Sequence, residues 1–177
     1  YTHRTYYMGM VDENNKVNFY DGKVRVVEPE GIEHCKYATE QYMKFVEEMV
    51  EPISYLKYPY LKKIGWKGFV EGKDSGVYQA TPLGRLNVAN GMATPLANIE
   101  YEKMYKTLGG KPVHNTLAMH WARLIELLYS SERALELITD PEITNNDLRT
   151  KLGDIHGEGV GIVEAQRGTL THHYWTD

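Results

Sequence analysis

Apolar positions recur along this chain with two rhythms. Over the first 38 residues they alternate. Tyr6 to Val11 (YYMGMV) reads as a strand and Asp12 to Asn15 as a turn. Lys16 to Tyr20 puts Val17 and Phe19 on one face, and Lys23 to Val27 does the same with Val24 and Val26. Asp21-Gly22 separates these two runs, the strongest short signal for a hairpin. Pro29-Glu30-Gly31 supplies another turn before a strand over Ile32 to Tyr37. The pattern predicts an antiparallel meander over residues 1–38, apolar on one side and charged on the other.

A helical period follows. Thr39 is a good N-cap, and Tyr42, Phe45, Val46, Met49 and Val50 fall on one helical face up to Pro52. The period then fails. Tyr55, Tyr58, Tyr60, Trp66, Phe69 and Tyr78 stand among Gly and Lys, which predicts a long loop over 51–93 packed on its own aromatics. Thr94-Pro95 opens a helix that Gly109-Gly110 closes, with Leu96, Tyr101, Met104, Tyr105 and Leu108 on its buried side. The longest helix starts at Asn115 or Thr116 and ends at Asp140-Pro141. Its stripe is Leu117, Trp121, Leu124, Ile125, Leu128, Leu135 and Ile138, with Glu132, Arg133 and Glu136 on the polar side. Pro141 to Gly157 reads as a polar connector. Residues 158–177 hold two short apolar runs around Gln166-Arg167-Gly168, a closing hairpin. The class is α+β: a meander (1–38), a helical region with the aromatic-rich loop (39–157) and the hairpin (158–177), together one structural domain.

Composition narrows the picture. The 177 residues are 42% apolar and 25% charged with a net charge of −4, an ordinary globular profile without the basic face that nucleic-acid binding requires. No apolar run is long enough to span a membrane. Fourteen Tyr against three Phe mean that many buried rings need a polar partner. Cys35 is the only cysteine, so the chain forms no internal disulfide, and it reads as a small hydrophobe. The chain opens on Tyr1 and stops on Asp177 after a strand-like run, which reads as a piece cut from a longer protein.

The hairpin turn carries the best candidate chemistry. It presents Arg167, a permanent charge with five donors in a rigid fork, flanked by Glu164, His172 and His173. Such a group suits an anionic or electron-rich target; the plain alternative is a surface pair with Glu164. His172 and His173 point to opposite faces of a strand. His114 and His120 are six apart and do not form a zinc pair. Gly157, Gly159 and Gly161 precede a strand, not a helix, so they make no phosphate loop. Arg85 reads as a structural ion-pair partner.

The run E-A-Q-R-G-T-L-T-H-H-Y, Glu164 to Tyr174, resembles the E-A-P-R-G-x-L-x-H signature of the large subunit of nickel–iron hydrogenases. SYLKYPYLKKIGW, GVYQATPLGRLNVANGMATPLA and YYMGMVDENNKVNFYDGKVRVV resemble the cytoplasmic, cofactor-coupled branch, nearest to the kind that does not reduce the deazaflavin coenzyme. The resemblance implies part of a large-subunit fold and a parent enzyme that splits hydrogen heterolytically. It implies that Arg167 acts at the metal pair, with Glu164, Gln166, Gly168, Leu170 and His172 around it. Gln166 departs from the family proline, and its amide is a candidate donor in place of what the proline backbone provides. The family's two C-x-x-C pairs are missing. The expectation is therefore an internal fragment, inactive alone and holding no metal, from a parent with a nickel–iron centre. Its partners would be an iron–sulfur small subunit with further electron-transfer subunits, alongside self-association of the fragment and neither nucleic acid nor membrane. Three other readings stand: a binding module, a hydrolase using His172 with Glu164, and a metal-free hydrogenase-fold structural or electron-transfer subunit.

Overall fold

The computed structural model describes residues 1–149, 151, 153 and 157–176. The fold is α+β. Strands β1 (Tyr6–Val11), β2 (Lys23–Val27) and β3 (Glu33–Tyr37) form an antiparallel meander, and β4 (Val46–Val50) pairs with β5 (Lys57–Leu61) as a separate hairpin. Strand β6 (Tyr78–Gln79) joins β1 in parallel, giving the sheet order β3-β2-β1-β6. Helices α1 (Pro82–Val88), α2 (Pro95–Thr107) and α3 (Ala118–Ile138) follow, and β7 (Glu158–Ala165) pairs with β8 (Gly168–Trp175) at the end.

Strand β1 is the axis of the molecule because both of its faces are covered. All six residues are buried. Tyr7 and Val11 face the helices, in a core with Leu83, Leu86, Met104, Ala122 and Ile125. Tyr6, Met8 and Met10 face the other way, against Val24, Val26, Tyr37, Leu61 and Ile162. Each fully buried side chain of this kind contributes roughly 1.5–3 kcal/mol, so a strand buried on both sides holds the largest share of the core per residue.

Two glycines let α1 lie directly on this strand. A Cβ on Gly9 would come within 2.9 Å of both the Cα and the Cγ of Arg85. A Cβ on Gly84 would come within 2.3 Å of the Gln79 carbonyl oxygen. Glycine in a strand marks such a close backbone approach. Thr81 caps the helix, its hydroxyl accepting from the Gly84 amide at 3.3 Å.

Helices α2 and α3 are joined by a cap that crosses between them. Pro95 lacks an N–H, so the first orphan donors of α2 are Leu96 and Ala97. The Glu132 carboxylate of α3 accepts from both, at 3.0 and 2.9 Å, and from the Thr94 hydroxyl at 2.6 Å. Burial, which by itself would raise the Glu132 pKa, is outweighed by these three donors, and the carboxyl is held below its ordinary value.

Several expected elements differ. Lys16–Tyr20 forms no strand. Val17 instead bridges Val11 and Met92, and β2 pairs with β1 and β3 rather than across Asp21-Gly22. Asn18 turns the chain there by accepting from the Tyr20 and Asp21 amides. The helix expected over 39–50 is a 3-10 turn at Thr39–Lys44 followed by β4, because cross-strand pairing with β5 overrides a weak helical period. The stretch read as a loop over 51–93 contains β5, β6 and α1. On α2 the buried residues are Ala97, Tyr101, Met104 and Tyr105, while Leu96 and Leu108 are exposed. Part of the connector expected over Pro141–Gly157 lies outside the described residues, and the rest includes a 3-10 turn at Pro141–Thr144.

Candidate functional site

The hairpin is anchored through Glu164. Because β6 ends at Gln79, the edge of β1 beyond Tyr7 has no strand beside it. The Met10 amide on that edge donates to Glu164 Oε1 at 2.6 Å, and the Glu164 amide donates to the Phe19 carbonyl at 2.6 Å. Thr169, opposite on β8, donates its hydroxyl to both carboxylate oxygens at 3.1 and 3.2 Å.

Arg85 completes this anchor from α1. Its Nε and Nη2 donate to the two oxygens of Glu126 on α3 at 2.6 and 2.8 Å, a bidentate pair. Its Nη1 donates to Glu164 Oε2 at 3.1 Å and to the Ala165 carbonyl at 2.9 Å. One guanidinium thus ties together α1, α3 and the hairpin. The side chains of Arg85 and Glu164 are 2% and 0% exposed, so water does not screen the pair. Two carboxylates share one cation. Burial pushes the Glu164 carboxyl up, and Arg85, committed bidentately to Glu126, does not fully offset it. Burial would lower the Arg85 pKa, but its bonds to Glu126 and the charges of both carboxylates outweigh that, and Arg85 stays charged.

A cleft of about 270 Å³ opens beside the triad, walled by Phe19, Arg123, Leu127, Ser130 and Gln166. At its rim Arg123 donates to the Gln166 carbonyl at 3.0 Å. On the other side of the turn Gly168 packs on the sheet, where a Cβ would sit 3.1 Å from the Ala80 carbonyl oxygen. Neither Gln166 nor Arg167 has a positive φ, so the two-residue turn is not of the mirror-image kind that suits hairpin twist. Its conformation is fixed from outside, by Arg85, Arg123 and the contact at Gly168.

Arg167 stands at the tip of this pinned turn, exposed, and among the described residues it makes no hydrogen bond or ion pair. The expected surface pair with Glu164 is not formed, because Glu164 points inward to Arg85 and Met10. Leu170 is exposed, and exposed His172 bonds the Tyr174 hydroxyl at 2.6 Å. His172 lies opposite Gly161 and apart from buried Glu164, so the hydrolase pair is not assembled. His173 lies between Glu158 at 2.9 Å and the Tyr42 hydroxyl at 2.8 Å. His114 bonds the Tyr7 hydroxyl at 2.6 Å. The structure brings together Glu164, the Gln166 carbonyl and Gly168, and leaves Arg167, Leu170 and His172 outside. Arg85 has the ion-pair part its sequence context suggested. Glu126 was missed. The signal was an acid within LIELL sharing the face of Ala122, Ile125 and Tyr129.

The donor set does not fit a thiolate-held metal or an iron–sulfur cluster, which require several cysteines. Cys35 stands alone and half-buried, its thiol pushed up to about 11 by burial. Among the described residues no three His, Cys, Asp or Glu side chains stand together as a metal set.

No family model matches the sequence. Curated relatives do. The chain is 48% identical over 171 residues to the iron-sulfur subunit of the F420-non-reducing hydrogenase of Archaeoglobus profundus, covering 97% of this chain and 35% of that protein. It is 42% identical to the vhu subunit of the F420-non-reducing hydrogenase of Methanocaldococcus jannaschii, covering 98% of this chain and 39% of that protein. It is 36% identical to the NAD-reducing hydrogenase HoxS subunit beta of Cupriavidus necator, covering 96% and 34% respectively. A chain of the NAD+-reducing [NiFe]-hydrogenase crystal structure in the H2-reduced state superposes with a TM-score of 0.90 at 34% identity, over 100% of this chain and 38% of that one. The chain spans little more than a third of the length of these relatives.

The assignment to a nickel–iron large subunit is corrected by these relatives. Their names are those of an iron-sulfur subunit, of a vhu subunit and of HoxS subunit beta, and none is a large-subunit name. The account of an inactive large-subunit fragment falls with it. The names agree better with the other expectation, a hydrogenase-fold subunit of the structural or electron-transfer kind. From end to end, this chain is similar to part of a hydrogenase subunit.

Proposed function

We propose that the chain forms the scaffold of part of a hydrogenase subunit of the structural or electron-transfer kind, and that its pinned turn presents Arg167 to an anionic or electron-rich group of the assembled complex. The complex would carry out reversible hydrogen cleavage to protons and electrons. The observation that carries this reading is the superposition of the whole chain on a hydrogenase chain at a TM-score of 0.90. The single cysteine argues that the metal cofactors of such a complex are held by other residues than these. Within the proposal, Glu164 anchors the hairpin, Gln166 offers its carbonyl to Arg123, and Gly168 admits the turn onto Ala80. Leu170 and His172 flank the presented cation on the outside. The partners are the other hydrogenase subunits. Among the described residues no helix is long and apolar enough to cross a membrane.

The test is affinity purification of the full gene product from its source cells. Co-purification with other hydrogenase subunits and hydrogen-dependent viologen reduction are expected. Arg167→Ala should lower that turnover about tenfold or more, the scale of losing a positioned charged donor, while co-purification persists. Isolation of the product alone, with no hydrogen-dependent activity, would overturn the reading. Unchanged turnover in Arg167→Ala would remove Arg167 from it.

A further inference from the structure

The turn that carries Arg167 does not hold itself. Its two central residues lack the φ values that favour a tight hairpin, yet three groups outside the hairpin grip its backbone or its edge. Arg85 donates to the Ala165 carbonyl, Arg123 donates to the Gln166 carbonyl, and Gly168 lies against the Ala80 carbonyl. The residues immediately before and at the first position of the turn are thus held by two cations from two different helices. Arg85 is held in turn by the bidentate bond to Glu126, which leaves its Nη1 aimed at the hairpin. Gly9 provides the space in β1 over which Arg85 passes.

We infer that Arg85, oriented by Glu126, and Arg123 are positioning residues that fix the direction of Arg167. This rests on the proposed role of Arg167 and adds the residues through which the fold controls it. The hairpin's own strand pairing would set the register but not the aim of the turn. Two cations on carbonyl oxygens one residue apart set the plane of both peptide groups leading into Arg167. Without them the guanidinium remains present and charged but samples a cone of directions. Misplacement of a reacting or steering group by about 1 Å is enough to lower a rate on the order of a hundredfold.

The experiment is a double-mutant cycle in the purified hydrogenase assembly. Arg123→Met removes one grip at the surface, where the fold tolerates it. Arg85→Lys keeps the charge and removes the fork. Each is combined with Arg167→Ala, and hydrogen-dependent viologen reduction is measured. Each single variant is expected to lower kcat about tenfold with little change in KM for the dye. In the Arg167→Ala background each should have less than about a twofold further effect, because contacting groups acting through one element are not additive. Multiplicative losses would overturn the inference, since a general structural role lowers activity whether or not Arg167 is present.

Hydrogen exchange of peptides covering residues 164–169 is read in the same variants. Faster exchange there, with α2 and α3 unchanged, is expected for Arg123→Met and Arg85→Lys. Unchanged exchange at the turn would overturn the positioning role by itself. If Arg167→Ala has no effect on turnover but turn exchange rises as expected, the proposed function of Arg167 fails and the positioning device stands.

Discussion

The two faces of α3 are inverted. Its inner face carries Ala122, Ile125, Glu126 and Tyr129, all buried, with a carboxylate among them. Its outer face carries Leu117, Leu124, Leu127, Leu135 and Ile138, each more than half exposed. A leucine-rich face lies in water while an acid lies inside. Burial on this helix is therefore decided by what the neighbouring element offers. Arg85 arrives on α1 with five donors and needs a carboxylate, so Glu126 goes in. No described element lies over the leucines, and an exposed apolar face of this extent is uncommon on a monomeric surface.

The sharpest way to break this comparison is to remove the cation. Arg85→Met leaves Glu126 and Glu164 buried with no counter-charge. Leaving a buried charge unpaired is expected to destabilise by about 3–5 kcal/mol, measured by urea unfolding of the isolated chain. A loss below about 1 kcal/mol, comparable to a surface ion pair, would mean that the inner face does not depend on the triad.

The inversion also explains what the sequence could and could not reveal. The strands Tyr6–Val11 and Lys23–Val27, the helix opened by Thr94-Pro95, the long helix and the closing hairpin follow from local pattern and turn chemistry. Residues 39–93 do not, because β4 and β5 are stabilised by each other and β6 is only two residues long. The side of α3 that faces the core was not legible either. A wide apolar stripe gives a helix, but it does not say which half of the stripe meets a partner. At the candidate site the turn and Arg167 were visible in E-A-Q-R-G. The inward course of Glu164 was not, since it depends on a free β1 edge at Met10 and on Arg85, 79 residues away in sequence. Gly9 within YYMGMV was the available hint of a close crossing.

A smaller effect follows from the excess carboxylate of the triad. Glu164 faces Arg85 of α1 and Glu126 of α3, with the Tyr37 phenol of β3 within electrostatic reach. Its pKa is raised in the folded chain, chiefly by burial. The folded state therefore holds this proton to higher pH than the unfolded chain, whose glutamate titrates near about 4.3. The resulting stability is fully present below that value and is lost as pH rises through the raised pKa. Glu164→Gln does not titrate. The stability of the parent chain minus that of Glu164→Gln should fall as pH rises above about 4.3, by roughly 1.4 kcal/mol for every tenfold gain in proton affinity on folding. Urea unfolding of both proteins across pH 4 to 8 measures it. A flat difference would show that Arg85 neutralises Glu164 as well as Glu126.

The smallest expected effect tests the outer face directly, by comparing two neighbours. Ile125 is 2% exposed in the helix-side core, and Leu124 beside it is 64% exposed. Ile125→Ala removes packed atoms and leaves a cavity, with a destabilisation of roughly 2–5 kcal/mol. Leu124→Ala removes atoms that already lie in water, and the change should stay within about 0.5 kcal/mol. Alanine has the higher helix propensity, which favours the small end of that range. The same two variants made in the full gene product sharpen the point. If Leu124→Ala stays silent in the isolated chain but destabilises the full product or its assembly, the outer leucines are buried there by something this chain does not contain. If it destabilises the isolated chain as much as Ile125→Ala does, the outer face is not free and the inversion of α3 is wrong.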